Sequence, residues 1–100
     1  MKIKTHDQDY ELEVYCLYWS NNIRHYLATV DLEREGLDVY TENNSTLLES
    51  SIDNFVLRKN SGGGDLLLHK AASEGDLLDD LIEHDQDATN IFLERLKDYQ

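Results

Sequence analysis

Between Tyr10 and Trp19 the chain reads YELEVYCLYW, and its apolar residues recur at every second position. Tyr10, Leu12, Val14, Cys16 and Tyr18 share one face, while Glu11 and Glu13 begin the other. A period of two carried by aromatic and β-branched side chains is the signature of a strand with one buried face. The second face turns apolar at Tyr15, Leu17 and Trp19. The end of this strand is therefore expected to be covered on both sides or to display aromatic rings.

Two more strands follow. Ser20-Asn21-Asn22 suits a tight turn, because Asn tolerates positive φ. From Ile23 to Leu32 the chain alternates again, with Tyr26, Ala28, Val30 and Leu32 opposite His25, Thr29 and Asp31. Glu33-Arg34-Glu35-Gly36 reads as a second hairpin loop, and Leu37, Val39 and Thr41 make a short third strand. Three strands in order, joined by short loops, imply an antiparallel meander.

Beyond Glu42-Asn43-Asn44 the period changes. Leu47, Leu48, Ile52, Phe55 and Val56 form the stripe of an amphipathic helix, and Thr46 with Glu49 has capping-box spacing. The run Ile52–Leu57 is also compatible with a strand. Asn60-Ser61-Gly62-Gly63-Gly64 ends this element as an exposed connector. Asp65 is placed to cap a short helix through Ala72, and Asp76 to cap another from Leu77 to His84. A last helix from Asp87 or Ala88 to Tyr99 presents Ile91, Phe92, Leu96 and Tyr99. The expected fold is α+β in one domain, residues 1–100. A β half of about 1–44 holds the three-stranded meander, and an α half of about 45–100 packs three or four helices on it.

Within the second half, Leu68-His69, Ala71-Ala72, Gly75, Leu78, Leu81-Ile82 and Asp87 stand where an ankyrin repeat has its pattern. Residues 65–88 therefore resemble one such repeat, departing from it at Asp85-Gln86. The resemblance implies an antiparallel helix pair with Ala71 and Ala72 packed inward, and a local structural hydrogen bond for His69. Such repeats stack in arrays, and no second copy is present, so no binding mode is carried over.

Charge narrows the function. Nine Lys and Arg stand against 21 Asp and Glu, a net −12 shared by both halves of the chain. An acidic surface repels phosphate backbones and anionic lipid, which disfavours direct nucleic-acid or membrane binding. The same surface attracts basic proteins and speeds their capture. The chain opens with polar residues rather than a signal peptide, and its longest apolar runs are too short to span a bilayer. The lone Cys16 allows no intrachain disulfide. A cytoplasmic setting is expected.

The tetrapeptide His-Asp-Gln-Asp occurs at His6–Asp9 and again at His84–Asp87. Metal ligation needs three or four converging ligands, and each copy offers one histidine without CxxC or HxxxH spacing. Turn and cap chemistry accounts for both: His84 suits a helix C-terminus and Asp87 the start of the next helix. Cys16 reads as a buried, inert side chain. Gly62-Gly63-Gly64 lacks the Lys-Ser/Thr of a phosphate loop. No catalytic residues, metal ligands or cofactor are expected, and an enzyme is disfavoured.

Two candidate binding surfaces remain. Glu74 to Asp87 holds seven acids and no Lys or Arg. With Leu77, Leu78, Leu81 and Ile82 turned inward, Asp76, Asp79, Asp80 and Glu83 line the outer helix face. Solvated faces usually mix signs, so a single sign favours a basic partner. The second candidate is the Tyr18-Trp19 edge, since Tyr and Trp are frequent interface anchors. The leading reading is a small acidic inhibitor: a bacterial immunity protein neutralising a nuclease-type toxin by blocking its basic cleft. Alternatives are a nucleic-acid mimic of the anti-restriction or anti-CRISPR kind, and a small metal-binding protein or enzyme.

Overall fold

The computed structural model describes residues 1–7, 11–60, 64–73, 75 and 77–99. Among the described residues seven strands form one antiparallel sheet: β1 (Lys2–Thr5), β2 (Glu11–Ser20), β3 (Ile23–Thr29), β4 (Asp38–Thr41), β5 (Ser45–Glu49), β6 (Phe55–Asn60) and β7 (Gly64–His69). A single helical turn, α1 (Leu32–Glu35), joins β3 to β4. After a 3-10 turn at Lys70–Ala72 come a short helix, α2 (Leu77–Ile82), and a longer one, α3 (Gln86–Leu96). Among the described residues no helix is long and apolar enough to cross a membrane.

The expected meander is present as β2, β3 and β4. The expected helical half is not. Ser45–Glu49, Phe55–Asn60 and Gly64–His69 are three further strands. They fall in the segments read as helix, as a possible strand at Ile52–Leu57 and as a connector at Asn60–Gly64. The division into a β half and an α half near residue 44 therefore disappears, and among the described residues two helices follow where three or four were expected. Local chemistry explains the change. A helix over Thr46–Leu57 would carry Ser50, Ser51, Asp53 and Asn54 in its interior, residues that prefer turns. They make a turn instead: Asn54 takes φ +66°, and the Phe55 N–H donates to the Ile52 carbonyl. The ankyrin-like pair keeps only its second helix, because Leu66-Leu67-Leu68 is strand. Leu68 and Leu66 face one side of the sheet and Leu67 the other. A strand covered on both faces shows no alternation and is easily read as a buried helix.

β2 organises the sheet. One edge pairs with β3 along its length, while the other is divided: Glu11–Glu13 pair with β1, and Cys16–Tyr18 with β7. At the fork Tyr15 is an extra residue, since Val14 opposes Ala28 and Cys16 opposes Leu27. This bulge reverses the alternation. Leu12 and Val14 face the same side as Leu17, whereas Cys16 and Tyr18 face the helices, so the single face read from the sequence is corrected here.

The main strand path runs β4-β3-β2-β1-β5, yet its two outermost strands are joined by three residues, Glu42–Asn44. Four peptide links reach at most about 15 Å. The turn is tight: the Asn44 N–H donates to the Thr41 carbonyl at 3.2 Å, and the His6 N–H donates to the Asn44 carbonyl at 2.9 Å. The sheet must therefore curl until its ends meet at this turn. Inside the curl lie Ile3, Leu12, Val14, Leu17, Tyr26 and Ala28, a cluster contributed entirely by strands. On the other face the helices close a larger cluster of Cys16, Leu27, Leu37 and Leu68 against Ala71, Ala72, Leu77, Leu78, Leu81, Phe92 and Leu96.

Candidate functional site

The helices do not cover the whole of their side of the sheet. One cross-strand row, Thr41–His25–Tyr18–Leu66–Arg58, runs along its end, from β4 through β3, β2 and β7 to β6. Where this row meets α2 there is an open groove of about 280 Å³. Its floor is Cys16, Tyr18, Leu27, Val39 and Leu66, and its helical wall is Leu78, Asp79 and Ile82. Val39 is 51% exposed and Ile82 41%, so the groove presents apolar surface to solvent.

Each lining residue has a local cause. Tyr18 reaches this side because the bulge at Tyr15 has shifted the pleat, and its ring stacks on His25 at 5.0 Å and 16°. The Nδ1 of His25 lies 2.9 Å from the Ile23 carbonyl, which fixes the imidazole beneath the phenol. Burial first, and the neighbouring Cys16 second, hold the Tyr18 hydroxyl above the ordinary phenol range, so it stays a neutral donor. Burial pushes the Cys16 thiol up to about 12, outweighing the Leu17 backbone hydrogen bond and Arg58, which lower it. At neutral pH that sulfur is a thiol and not a nucleophile.

Four of the sequence-predicted residues are thereby separated into two sets. Tyr18 and Asp79, picked out by unrelated features, line one groove. Asp80 and Glu83 are exposed beside it on α2 and just past its end. Asp79, Asp80 and Glu83 make no ion pair among the described residues; Asp76 lies outside them. Trp19 is half exposed, but consecutive strand residues point to opposite faces, so it leaves the groove for the far side of the sheet. Tyr18 and Trp19 do not form one edge. Ile82, expected to point inward, stands on the rim because α2 ends there instead of continuing to His84. Val39 and Leu66 were missed: one looked like an ordinary strand residue, the other was assigned to a helix.

The second His-Asp-Gln-Asp is turn chemistry. His84 ends α2 with φ +62°, and its Nε2 lies 3.2 Å from the Leu37 carbonyl and 3.6 Å from Asp38 Oδ1. Asp85, not Asp87, caps α3 by accepting from the Ala88 N–H at 2.9 Å. Of the first copy, Gln8 and Asp9 lie outside the described residues, as do Gly62 and Gly63 of the glycine run. Among the described residues no three His, Cys, Asp or Glu gather as a metal site.

A second cavity, of about 360 Å³, lies at the other end of the molecule between Glu13, Tyr15, Glu49, Asp53, His69 and Tyr99. His69 accepts the Ala71 N–H at Nδ1 (3.1 Å), the local structural bond expected of it, so its proton sits on Nε2. Tyr15, Phe55, Phe92 and Tyr99 surround the ring with centroids at 5.1–6.4 Å. Burial, then the positive amino terminus, hold His69 below the usual imidazole range. Burial, aided by Glu13, pushes the Tyr15 hydroxyl up to about 12. These groups are neutral near pH 7 and serve to pack the 3-10 turn. The sequence matches no family model, and neither curated proteins nor solved structures give a match to it.

Proposed function

We propose that this chain is an acidic binding protein that captures a basic protein partner in the groove beside α2, and that the partner is a nuclease-type toxin whose active cleft it blocks. The observation that carries the reading is the convergence of Tyr18 and Asp79 on one apolar groove, with Val39, Leu66 and Ile82 exposed in it. An aromatic anchor beside unpaired carboxylates is the arrangement that binding hot spots use: the apolar floor holds the partner and the charges guide it in. A nuclease must display Lys and Arg to grip phosphate, so it offers the complementary surface. The net charge of −12 adds long-range attraction in every orientation.

Association kinetics with a candidate nuclease domain, at several salt concentrations, test this. Asp79→Asn, Asp80→Asn and Glu83→Gln together should slow association several-fold and flatten its salt dependence, because steering acts over roughly 8 Å at physiological ionic strength. Tyr18→Ala should instead speed dissociation. The melting temperature of the triple variant should fall by no more than a few degrees. Asp79 and Asp80 lie in the first turn of α2, where the helix dipole favours them by about 0.3–1 kcal/mol each, while Glu83 follows the C-terminal end, where it is disfavoured. A complex whose rates ignore both sets of changes would overturn the reading.

A further inference from the structure

The cavity of about 360 Å³, at the far end of the molecule from the groove, holds polar groups that the fold leaves unused. Its volume lies within the range of about 300–1,000 Å³ usual for small-ligand sites. One wall is acidic and is drawn from separate segments: Glu13 on β2, Glu49 at the end of β5, and Asp53 in the turn before β6. Glu13 is paired with the amino terminus at 3.4 Å. Lys2, the β1 partner of Glu49 in the register, reaches Glu11 instead, at 3.9 Å. Glu49 and Asp53 are exposed and make no ion pair among the described residues. The other wall is aromatic, from Tyr15, Phe55 and Tyr99.

His69 points independently to a ligand. Its side chain lines the same cavity and the residue is only 9% exposed. Nδ1 is occupied by the Ala71 N–H, which leaves the proton on Nε2, and no acceptor meets that N–H among the described residues. Buried donors are normally satisfied, because leaving one without an acceptor is costly. Nε2 is not sealed in, as the unpartnered Thr5 hydroxyl is, so the exposure that the ring keeps reaches this nitrogen. Burial keeps the imidazole neutral, so it adds no positive charge beside the acidic wall.

We infer that this cavity binds a guanidinium group whose ligand also carries a carbonyl or carboxylate oxygen, the pair of groups that arginine has. A guanidinium is planar, so one group can both fork to carboxylates such as Glu49 and Asp53 and lie against aromatic rings. An ammonium offers only a point charge. The oxygen accepts from the His69 Nε2–H. A bare cation leaves that donor unmet, and a neutral ligand leaves the carboxylates unmet. Free arginine and an arginine residue within a peptide both present this chemistry. The cavity shares no lining residue with the groove beside α2, so the inference does not rest on the functional reading.

Titration followed by NMR, in low salt near neutral pH, is the experiment, with L-arginine, N-acetyl-arginine amide, L-citrulline and agmatine as probes. An arginine probe should shift the ring signals of Tyr15, Phe55 and Tyr99 and the Nε2–H of His69, with a Kd of about 1 mM. Binding of the blocked form assigns the site to an arginine within a peptide; binding of L-arginine alone assigns it to the free amino acid. Citrulline has nearly the same shape without the charge and should bind about tenfold more weakly or worse. Agmatine keeps the guanidinium but lacks the oxygen, so it should bind several-fold more weakly and leave the His69 signal in place. Glu49→Gln with Asp53→Asn should weaken arginine binding by about tenfold, and the probe comparison on the unaltered protein stands without that variant. No shift with about 20 mM of either arginine form, or citrulline binding as well as arginine, would overturn the inference. So would a folded double variant that binds as the wild type does.

Discussion

The two apolar clusters share β2 as a wall and are closed by different means. Thirteen buried residues lie between the sheet and the helices, and six lie inside the curl of the strands. The larger cluster needs a second layer. That layer is short: α2 has six residues and α3 eleven, so the end of the sheet bearing Tyr18 and Leu66 projects past them. The smaller cluster needs only curvature, and curvature closes one end at the Glu42–Asn44 turn while leaving Leu47 at the rim. The groove at Tyr18 and Leu66, and the rim at Leu47, are thus the unfinished ends of a core. At the groove, exposed apolar groups mark where closure stops, which is why binding is expected there and not at a separate motif.

The largest expected effect tests whether the clusters are separate. Phe92 is fully buried and meets Tyr15 edge-to-face at 5.1 Å. Phe92→Ala should cost about 3–5 kcal/mol, and Leu12→Ala, in the smaller cluster, about 2–5 kcal/mol. Urea unfolding of both variants and of a milder pair, Leu96→Val with Val14→Ala, measures their coupling. Independent clusters predict additivity within about 0.5 kcal/mol. A larger interaction would show that the Tyr15 bulge transmits packing from one face of β2 to the other.

The same division explains what could be read in the sequence. β2, β3 and β4 show alternation because parts of each strand have one face wetter than the other. β7 is apolar on both faces at Leu66–Leu68, and β5 exposes Leu47 and Leu48 on opposite faces, so neither displays a period of two. With the period gone, the chance spacing of Leu47, Leu48, Ile52, Phe55 and Val56 imitated a helix. β1 is only Lys-Ile-Lys-Thr, too short to register. The groove was legible as residue types but not as a place. Tyr18 and Asp79 could be chosen as an aromatic and an acid, whereas their meeting depends on a bulge and on β7 pairing with β2.

A smaller effect probes the joint between the β3–β4 connection and the helices. Gly36 has φ +65°, and a Cβ there would lie 2.9 Å from Cδ2 of His84. Gly36→Ala should cost about 1–2 kcal/mol from the left-handed backbone, and more from the ring it displaces. Removing the ring with His84→Ala loses its contact to the Leu37 carbonyl but should lessen the penalty of Gly36→Ala. An equal penalty in both backgrounds would mean that backbone strain alone opposes the substitution.

The smallest effect is a pH dependence confined to the helix-covered cluster. His69 is held neutral among four aromatic rings, with its folded pKa below the unfolded value of about 6.5. Between those two values the unfolded chain binds a proton that the folded chain refuses, so stability falls as pH is lowered from about 7 through 6.5 and levels off below the folded pKa. Above about 7 the imidazole is neutral in both states and contributes no slope. His69→Asn can keep an acceptor near Nδ1 for the Ala71 N–H without carrying a titrating ring. The variant should be less stable than the wild type at neutral pH, because it forfeits the ring contacts, yet lose less on acidification, so the two stability curves converge. Chemical denaturation of both proteins between about pH 7.5 and about pH 5.5 measures the convergence, and the carboxylates common to both cancel in the difference. Parallel curves would place the proton-sensitive group elsewhere, and the two clusters would then be indistinguishable in their response to acid.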